Sequence, residues 1–409
     1  MKYLLLTLLF FPSILMAQDT GIHFEHNSNW KEVQAKAKAE NKFIFMDCLT
    51  TWCGPCKYMS ASVFPQQQVG DYMNDKFVSL KVQLDTTKND NAEVKAWYSD
   101  AHNIAAKYKV TVYPTYLIFA PDGSIVHRFV GSSPAEEFLA NIERSVKPET
   151  QYYYLLKKYE TGNRDPNLLR NLAMAAQGAY DTDNAARISE EYVATQKDLY
   201  TEENLNFLKK FTTKSTDKGF GIMMKDAAKV DAVLGKGSAA SVIHPVIMQE
   251  EIYPNFSREP GAKPDWEKMK ANLSKKYPAH ADEALAQGKV IWYQFSRDWD
   301  QYQTAIVEYM GKYGENVTPG ELNNYAWTVF DNCPDMKCVA EALEWSKRSL
   351  KDEQNPMYLD TYANILHKLG RTEEAITWEQ KALDLAPESE KKNYRDVIDK
   401  MKKNEKTWN

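Results

Sequence analysis

The stretch Trp52-Cys53-Gly54-Pro55-Cys56 decides the fold that this sequence predicts. Two thiols separated by two residues can close a small disulfide ring and open it again. The apolar run Phe43-Ile44-Phe45-Met46 predicts a buried strand before the cysteines, and residues 57–63 predict a helix after them. The pair therefore lies where a strand turns into a helix. The unpaired N–H groups and the positive dipole end of that helix favour the thiolate of Cys53, which is the nucleophilic form.

Further motifs extend this pattern, and together they resemble the thioredoxin family over roughly the first third of the chain. Trp52 to Lys57 is similar to the thioredoxin active site. Asp47 lies six residues before Cys53, where thioredoxins carry a buried Asp that assists proton transfer, and Lys81 falls where they carry its partner. Val112-Tyr113-Pro114-Thr115 resembles the cis-proline loop that faces the disulfide, and Gly131 matches the glycine that ends the last strand.

The resemblance implies a role for each of these residues. Cys53 is expected to attack a substrate disulfide, and Cys56 is expected to resolve the mixed disulfide that forms. Asp47 is expected to relay a proton to and from Cys56, because burial would raise its pKa, and Lys81 is expected to partner Asp47. The residues expected to contact the substrate are Trp52, Gly54, Pro55, Tyr113 and Pro114.

Three features depart from the thioredoxin pattern. Leu49 stands where thioredoxins usually have a second Trp, and Pro65 comes later in the active-site helix than the usual kink proline. About fifteen extra residues, near 86–100, separate Asp85 from the cis-proline loop. The surface around the site therefore differs, which bears on the identity of the electron donor and leaves the redox pair untouched.

The remaining cysteines leave other chemistry open. Zinc binding at Cys53 and Cys56 needs two more ligands, and the second close pair, Cys333 and Cys338, lies in another region of the chain. A static disulfide is the other alternative, but a ring across two residues at a helix start tends to be labile. Cys333 and Cys338 could form a structural disulfide of their own, in a turn longer than that of the next repeat, or act as a second redox pair. Cys48 is expected to be a small buried side chain.

Composition limits the function classes. A chain of 409 residues is too long for one compact core of ordinary size and indicates two or more units. The net charge of −5, with no large basic block, argues against nucleic acid as a partner. No flavin motif, Gly-rich phosphate loop or cluster of metal ligands stands out, so the sequence predicts neither a cofactor nor a metal.

Residues 1–17 predict a secretory signal peptide. Lys2 gives a charged start, an apolar run follows from Leu4 to Met16, and Ala17 offers a small residue for cleavage. The apolar run is short for a spanning helix, and a retained membrane anchor is the alternative. We therefore expect export, most simply to a bacterial periplasm, where a membrane electron donor would have to reduce the cysteine pair.

Residues 18–147 alternate strand and helix patterns and predict a thioredoxin-like α/β domain with a central mixed sheet flanked by helices. A first strand is expected at residues 21–25. Pro121-Asp122-Gly123 predicts the hairpin turn between the last two strands.

From residue 148 onward the strand signals fade and helical patterns follow. We expect degenerate helical repeats over residues 148–320, tetratricopeptide-like repeats over residues 321–390, and a charged tail over residues 391–409. In the clearest repeat, Gly370 permits the turn between two helices, and small residues such as Ala375 let the helices approach closely.

Together these patterns predict a secreted thiol–disulfide oxidoreductase that reduces protein disulfides. The Gly54-Pro55 dipeptide resembles that of reductants more than that of strong oxidases, which usually carry a His before the second Cys. The helical repeats could bind a protein or peptide partner. The alternatives are a helical-repeat adaptor whose thioredoxin domain mainly docks partners, and a disulfide isomerase.

Overall fold

The computed structural model of the chain describes residues 20–408, except residues 27, 258, 260, 353, 354 and 389. The predicted signal peptide, residues 1–17, lies outside the described part. The chain divides into two compact units, with the boundary between Leu199 and Tyr200. Among the described residues, no helix has both the length and the apolar character needed to cross a bilayer.

The described residues of the first unit form a four-stranded mixed sheet, in the order β2-β1-β3-β4. The central strand β1 pairs in parallel with β2 and antiparallel with β3, which pairs antiparallel with β4. The predicted first strand at 21–25 is reduced to a single bridge between Phe24 and Ser79. The strands are β1 Phe43–Leu49, β2 Phe77–Gln83, β3 Thr115–Phe119 and β4 Ile125–Val130.

Helices flank this sheet as predicted. Asn29 caps the first helix through a reciprocal pair of hydrogen bonds with Glu32. The active-site helix continues through a π-helical turn, Met59–Val63, and breaks at Pro65 before the next helix begins. The helices are α1 Trp30–Glu40, α2 Gly54–Tyr58, α3 Gln67–Lys76, α4 Ala92–Lys107 and α5 Ala135–Ser145.

The two sheet faces carry separate apolar cores. Side chains along β1 alternate between them, because successive residues of a strand point to opposite faces. Phe45 belongs to the core beneath the active-site helix, which also contains Met59, Val63, Tyr116 and Phe138. Ile44, Met46 and Cys48 belong to the opposite core. Asp47 therefore shares the face of Phe45, under the active-site helix.

Three more helices belong to the same compact unit as the sheet: α6 Tyr152–Glu160, α7 Pro166–Gly178 and α8 Thr182–Thr195. The backbone N–H of Tyr152 donates a hydrogen bond to Nδ1 of His127 on β4, 2.9 Å away. The Tyr152 hydroxyl in turn donates to Asp181, which caps α8. The predicted boundary at residue 147 thus falls inside a compact unit, and whether residues 18–147 fold alone stays a prediction.

The described part of the second unit is all helical, as expected. Consecutive helices pack as hairpins. The clearest predicted repeat, which contains Gly370 and Ala375, is formed by α18 and α19, with Gly370 at a φ of +81° in the turn. The helices of this unit are α9 Glu202–Phe211, α10 Lys218–Lys225, α11 Ala227–Leu234, α12 Ala240–Ile247, α13 Trp266–Lys276, α14 Ala281–Ser296, α15 Trp299–Tyr313, α16 Pro319–Asn332, α17 Met336–Ser349, α18 Pro356–Lys368, α19 Thr372–Leu385 and α20 Lys391–Lys402.

Two details of the second unit differ from the sequence prediction. The turn between α16 and α17 is no longer than the turn between α18 and α19, because Asp335 accepts the N–H of Lys337 and starts α17 at Met336. Cys338 therefore lies inside α17. The expected charged tail at 391–409 contains helix α20, which buries Tyr394, Ile398 and Met401. Its apolar residues recur at helical spacing, and that pattern outweighs the surrounding charge.

Candidate active site

Cys53 and Cys56 form a disulfide at the start of α2, with an S–S distance of 2.06 Å. Cys53 is the N-cap of the helix, and its Sγ accepts a hydrogen bond from the backbone N–H of Cys56, 3.1 Å away. Hydrogen bonding to the charged form of a group favours that form. The strand-to-helix position predicted for the pair is confirmed, and it supports a thiolate on Cys53 in the reduced protein.

Both cysteines are buried residues, while the neighbouring Trp52 is open to solvent. Cys53 and Cys56 are 2% and 4% exposed, whereas Trp52 is 69% exposed. The indole of Trp52 meets the ring of Tyr113 edge to face, with centroids 5.7 Å apart. Trp52 and Tyr113 thus form an aromatic rim beside the disulfide. The substrate-contact role expected for both residues stays a prediction.

The predicted cis-proline loop is present. The peptide bond between Tyr113 and Pro114 is cis. The carbonyl of Pro114 accepts the N–H of Gly131, 3.0 Å away, and Gly131 has a φ of +99°. A residue with a side chain would be strained at that φ, so the glycine lets the chain turn at the end of β4 while it holds the loop.

Asp47 is 1% exposed, and its carboxylate oxygens accept no hydrogen bond from the described residues. Burial raises the pKa of Asp47 to about 7, and the positive charge of Lys81 opposes that rise. A carboxyl with a pKa near neutrality can both hold and release a proton under working conditions. The expected burial of Asp47 is therefore observed, and its role as proton relay stays a prediction.

Lys81 lies beside Asp47 on the neighbouring strand, since the two residues are partners in the register of β1 and β2. They do not form a direct ion pair. The ammonium donates to Oγ of Ser60, 2.9 Å away, and lies 4.5 Å from the ring centroid of Phe24 and 5.4 Å from that of Phe64. Lys81 thus influences the ionisation of Asp47 through the electric field of its positive charge and not through a direct contact.

Sequence reasoning missed two side chains that hold this site. Ser60 is one of them, and Asp85 is the other. The Asp85 carboxylate accepts the backbone N–H of Thr51, 2.9 Å away, and also the Thr51 hydroxyl. Thr51 directly precedes the Trp52-Cys53 turn, so Asp85 ties that turn to the end of β2. The position of Asp85 just after β2 indicates a polar side chain near the site. No sequence pattern, however, connects Asp85 with Thr51.

Side-chain hydrogen bonds of Asp90 order the segment inserted near 86–100. The Asp90 carboxylate accepts the N–H of Thr87 at 2.7 Å and the hydroxyl of Tyr98 at 2.6 Å. These hydrogen bonds lower the pKa of Asp90, which keeps the carboxylate charged. The insertion therefore leads directly into α4 and adds a fixed element near the end of β2.

Cys333 and Cys338 belong to the second unit, and the possible disulfide between them is not formed in this structure. Both are free, buried thiols. A hydrogen bond from Cys338 lowers the pKa of Cys333, which indicates that the two sulfurs are neighbours. Their closure in an oxidising compartment stays a prediction. Cys48 is a free, buried thiol, as expected.

Comparison with known proteins assigns the first part of the chain. Residues 30–145 match the model of a thioredoxin-like domain family. The chain is 32% identical over 122 residues to thioredoxin H-type of Oryza sativa subsp. indica, an alignment that covers 29% of this chain and 82% of that protein. The chain belongs to the thioredoxin family. It therefore contains a thioredoxin-like oxidoreductase domain with a Cys-X-X-Cys pair.

Solved structures extend the comparison of this thioredoxin-family chain. The solution structure of a candidate disulphide-isomerase from Bacteroides thetaiotaomicron is 36% identical, covers 32% of this chain and 98% of its own, and gives a TM-score of 0.27. The TPR2AB domain of yeast Sti1 is 13% identical, covers 66% of this chain and 94% of its own, and gives a TM-score of 0.23. The chain spans only 52% to 59% of the length of the chloroplastic thioredoxins Y of rice and Arabidopsis thaliana that it also matches.

Proposed function

We propose that this protein is an exported thiol–disulfide oxidoreductase that reduces protein disulfides through Cys53 and Cys56. The observation that carries the proposal is the disulfide at the start of α2, whose Cys53 sulfur receives a helix-terminal N–H. Such a position favours a nucleophilic thiolate. The family match over residues 30–145 supports the same chemistry.

The reaction transfers two electrons from the reduced pair to the substrate. The Cys53 thiolate attacks one sulfur of a substrate disulfide, and the other substrate sulfur leaves and takes up a proton. Asp47 then accepts the proton of Cys56, whose thiolate attacks the Cys53 sulfur of the mixed disulfide. The second substrate sulfur leaves as a thiolate and takes up a proton, and the Cys53–Cys56 disulfide remains. A carboxyl with a pKa of about 7 suits this transfer, because it is partly ionised near neutral pH.

The direction and compartment of this reaction belong to the proposal. The Gly54-Pro55 dipeptide and the apolar start of the sequence support a reductant in a bacterial periplasm. A membrane electron donor would return the pair to its dithiol form. The helix hairpins of the second unit would bind a protein partner or substrate, a use that suits the surfaces of helical repeats.

Reduction of insulin by the protein, with dithiothreitol as electron source, tests the proposal. We expect activity from the parent and from Cys48→Ala, which removes a buried thiol outside the pair. We expect none from Cys53→Ser. The reduction potential should lie nearer to about −270 mV than to the roughly −120 mV of strong oxidases.

Trapping identifies the substrate and separates the alternatives. In Cys56→Ser the mixed disulfide on Cys53 cannot be resolved, so substrate proteins should remain covalently attached. A potential above the isomerase range of about −180 mV would contradict the reductant assignment. Partner binding that persists in Cys53→Ser, with no insulin reduction by the parent, would favour the adaptor.

A further inference from the structure

The contacts of Lys81 show a lysine held in place beside a buried carboxyl. Its ammonium donates to the hydroxyl of Ser60 at 2.9 Å and lies over the rings of Phe24 and Phe64. Ser60 belongs to the π-helical turn that continues the active-site helix, between the buried side chains of Met59 and Val63. Turns of this kind occur frequently at functional sites.

Lys81 acts on Asp47 from this held position. The two residues face the same side of the sheet, because partners in register on parallel strands share a face. Burial disfavours the charged form of each side chain, and each favours the charge of the other. Lys81 is an exposed residue on the edge strand β2, so its long, flexible stem can carry the ammonium into bulk water when no contact retains it. A contact that retains the ammonium therefore controls how strongly Lys81 acts on Asp47.

We propose that Ser60 is a positioning residue of the active site: its hydroxyl holds the Lys81 ammonium near Asp47, so that the carboxyl can ionise and accept the proton of Cys56. The last part rests on the proposed function, whereas the effect of Ser60 on Asp47 does not. Without the hydroxyl, the ammonium of the exposed Lys81 leaves its place beside Ser60 and spends more time in bulk water, farther from Asp47. Asp47 then remains protonated to higher pH and accepts a proton from Cys56 less readily.

The titratable neighbours that the described part of the structure places beside Asp47 on β1 and β3 do not titrate in the same range. From β3 it faces Tyr116, its partner in register, and Cys48 follows it in the chain. Burial raises the pKa of both groups far above neutrality, so they stay neutral. The cysteines of the active-site helix are joined in the disulfide. In the oxidised protein, Lys81 is therefore the charged group that this test changes.

The test is an NMR titration of Asp47 in the oxidised full chain labelled with ¹³C at aspartate carboxyl groups, with Asp47→Asn to assign the signal. Ser60→Ala should raise the titration midpoint, with a threefold or larger fall in the ionisation constant. Lys81→Met removes the positive charge altogether, so its midpoint sets the upper limit of the rise in the Asp47 titration midpoint. Ser60→Thr keeps the hydroxyl and should restore the parent midpoint, while Ser62→Ala, on the exposed part of the same turn, should not shift it.

The double variant decides whether Ser60 acts through Lys81. In the Lys81→Met background, Ser60→Ala should have no further effect. A midpoint unchanged in Ser60→Ala, a lowered midpoint, or an equal rise in both backgrounds would each overturn the proposal. A second readout is the resolving step in a single turnover, whose pH profile should move to higher pH in Ser60→Ala. A shifted Asp47 titration in a protein without reductase activity would uphold the positioning role and reject the proposed function.

Discussion

At the scale of single residues, Asp47 illustrates how a strand position sets the chemistry of a side chain. It occupies a place in β1 where the apolar pattern of the buried face calls for a hydrophobic residue. Burial makes ionisation unfavourable there, and the nearby charge of Lys81 compensates only in part. A carboxyl buried in this way destabilises the fold when it is charged. The same burial brings its pKa close to neutral pH, which suits proton transfer.

We predict that Asp47→Asn stabilises the protein at alkaline pH. The folded-state pKa of about 7 is raised from 3.8, so the folded state binds more protons between these values and stability falls as pH rises through that window. At pH 8 the free energy of unfolding of the variant should exceed that of the parent by up to about 4 kcal/mol, and at pH 4 the two should be almost equal. Urea unfolding at both pH values measures this. Asp71→Asn, at an exposed site on α3, is the matched control, and an equal effect at both pH values would reject the account.

At the scale of elements, His127 on β4 joins the sheet to helix α6. Its Nδ1 accepts the N–H of Tyr152, the first residue of α6. Helix starts leave such N–H groups without partners inside the helix, so the histidine acts as a cap supplied by a strand. Burial and the charge of Arg144 lower the pKa of His127 to about 4. The ring is therefore neutral and able to accept a hydrogen bond over the physiological range.

We predict that His127→Phe weakens the contact between α6 and β4 at neutral pH. The change leaves the Tyr152 N–H buried without an acceptor, which costs about 1–3 kcal/mol. In the parent, stability should fall as pH drops from about 6.5 to about 4, because the unfolded chain binds a proton there that the folded state does not. Denaturant unfolding across this pH range should show that the free energy of unfolding falls less steeply for His127→Phe than for the parent. The control is His102→Phe on the exposed face of α4; a parent-like slope in His127→Phe would show that His127 is not the titrating group.

At the scale of the whole molecule, the thioredoxin core and the compact unit do not have the same boundaries. The apolar clusters on both sheet faces are built from residues between Ile22 and Val146. The compact unit nevertheless extends to Leu199, through contacts of α6 and α7 with β4. The later helices thus cover part of β4, beside apolar clusters formed by residues that precede them.

We predict that a fragment of residues 18–147 folds and keeps its redox activity, but is less stable than a fragment of residues 18–199. The shorter fragment exposes the face of β4 that α6 covers and leaves His127 without its partner, so we expect a loss of about 2–4 kcal/mol. Urea unfolding of both fragments, with insulin reduction as the activity test, gives the comparison. An unfolded short fragment would make α6 to α8 part of the essential core.

The sequence by itself determined the thioredoxin-like layout, the redox pair and the cis-proline loop. The layout and the redox pair rest on local signals: the apolar run of β1, the Pro121-Asp122-Gly123 turn and the spacing of two cysteines. The cis-proline loop rests on the resemblance of residues 112–115 to the thioredoxin motif. The tertiary structure alone decided the contacts between residues far apart in the chain. Ser60 with Lys81, Thr51 with Asp85 and His127 with Tyr152 are 21, 34 and 25 residues apart, respectively. Each contact depends on strand register, a π-helical turn or helix docking, and these are set by packing across the whole unit and not by the identity of neighbouring residues.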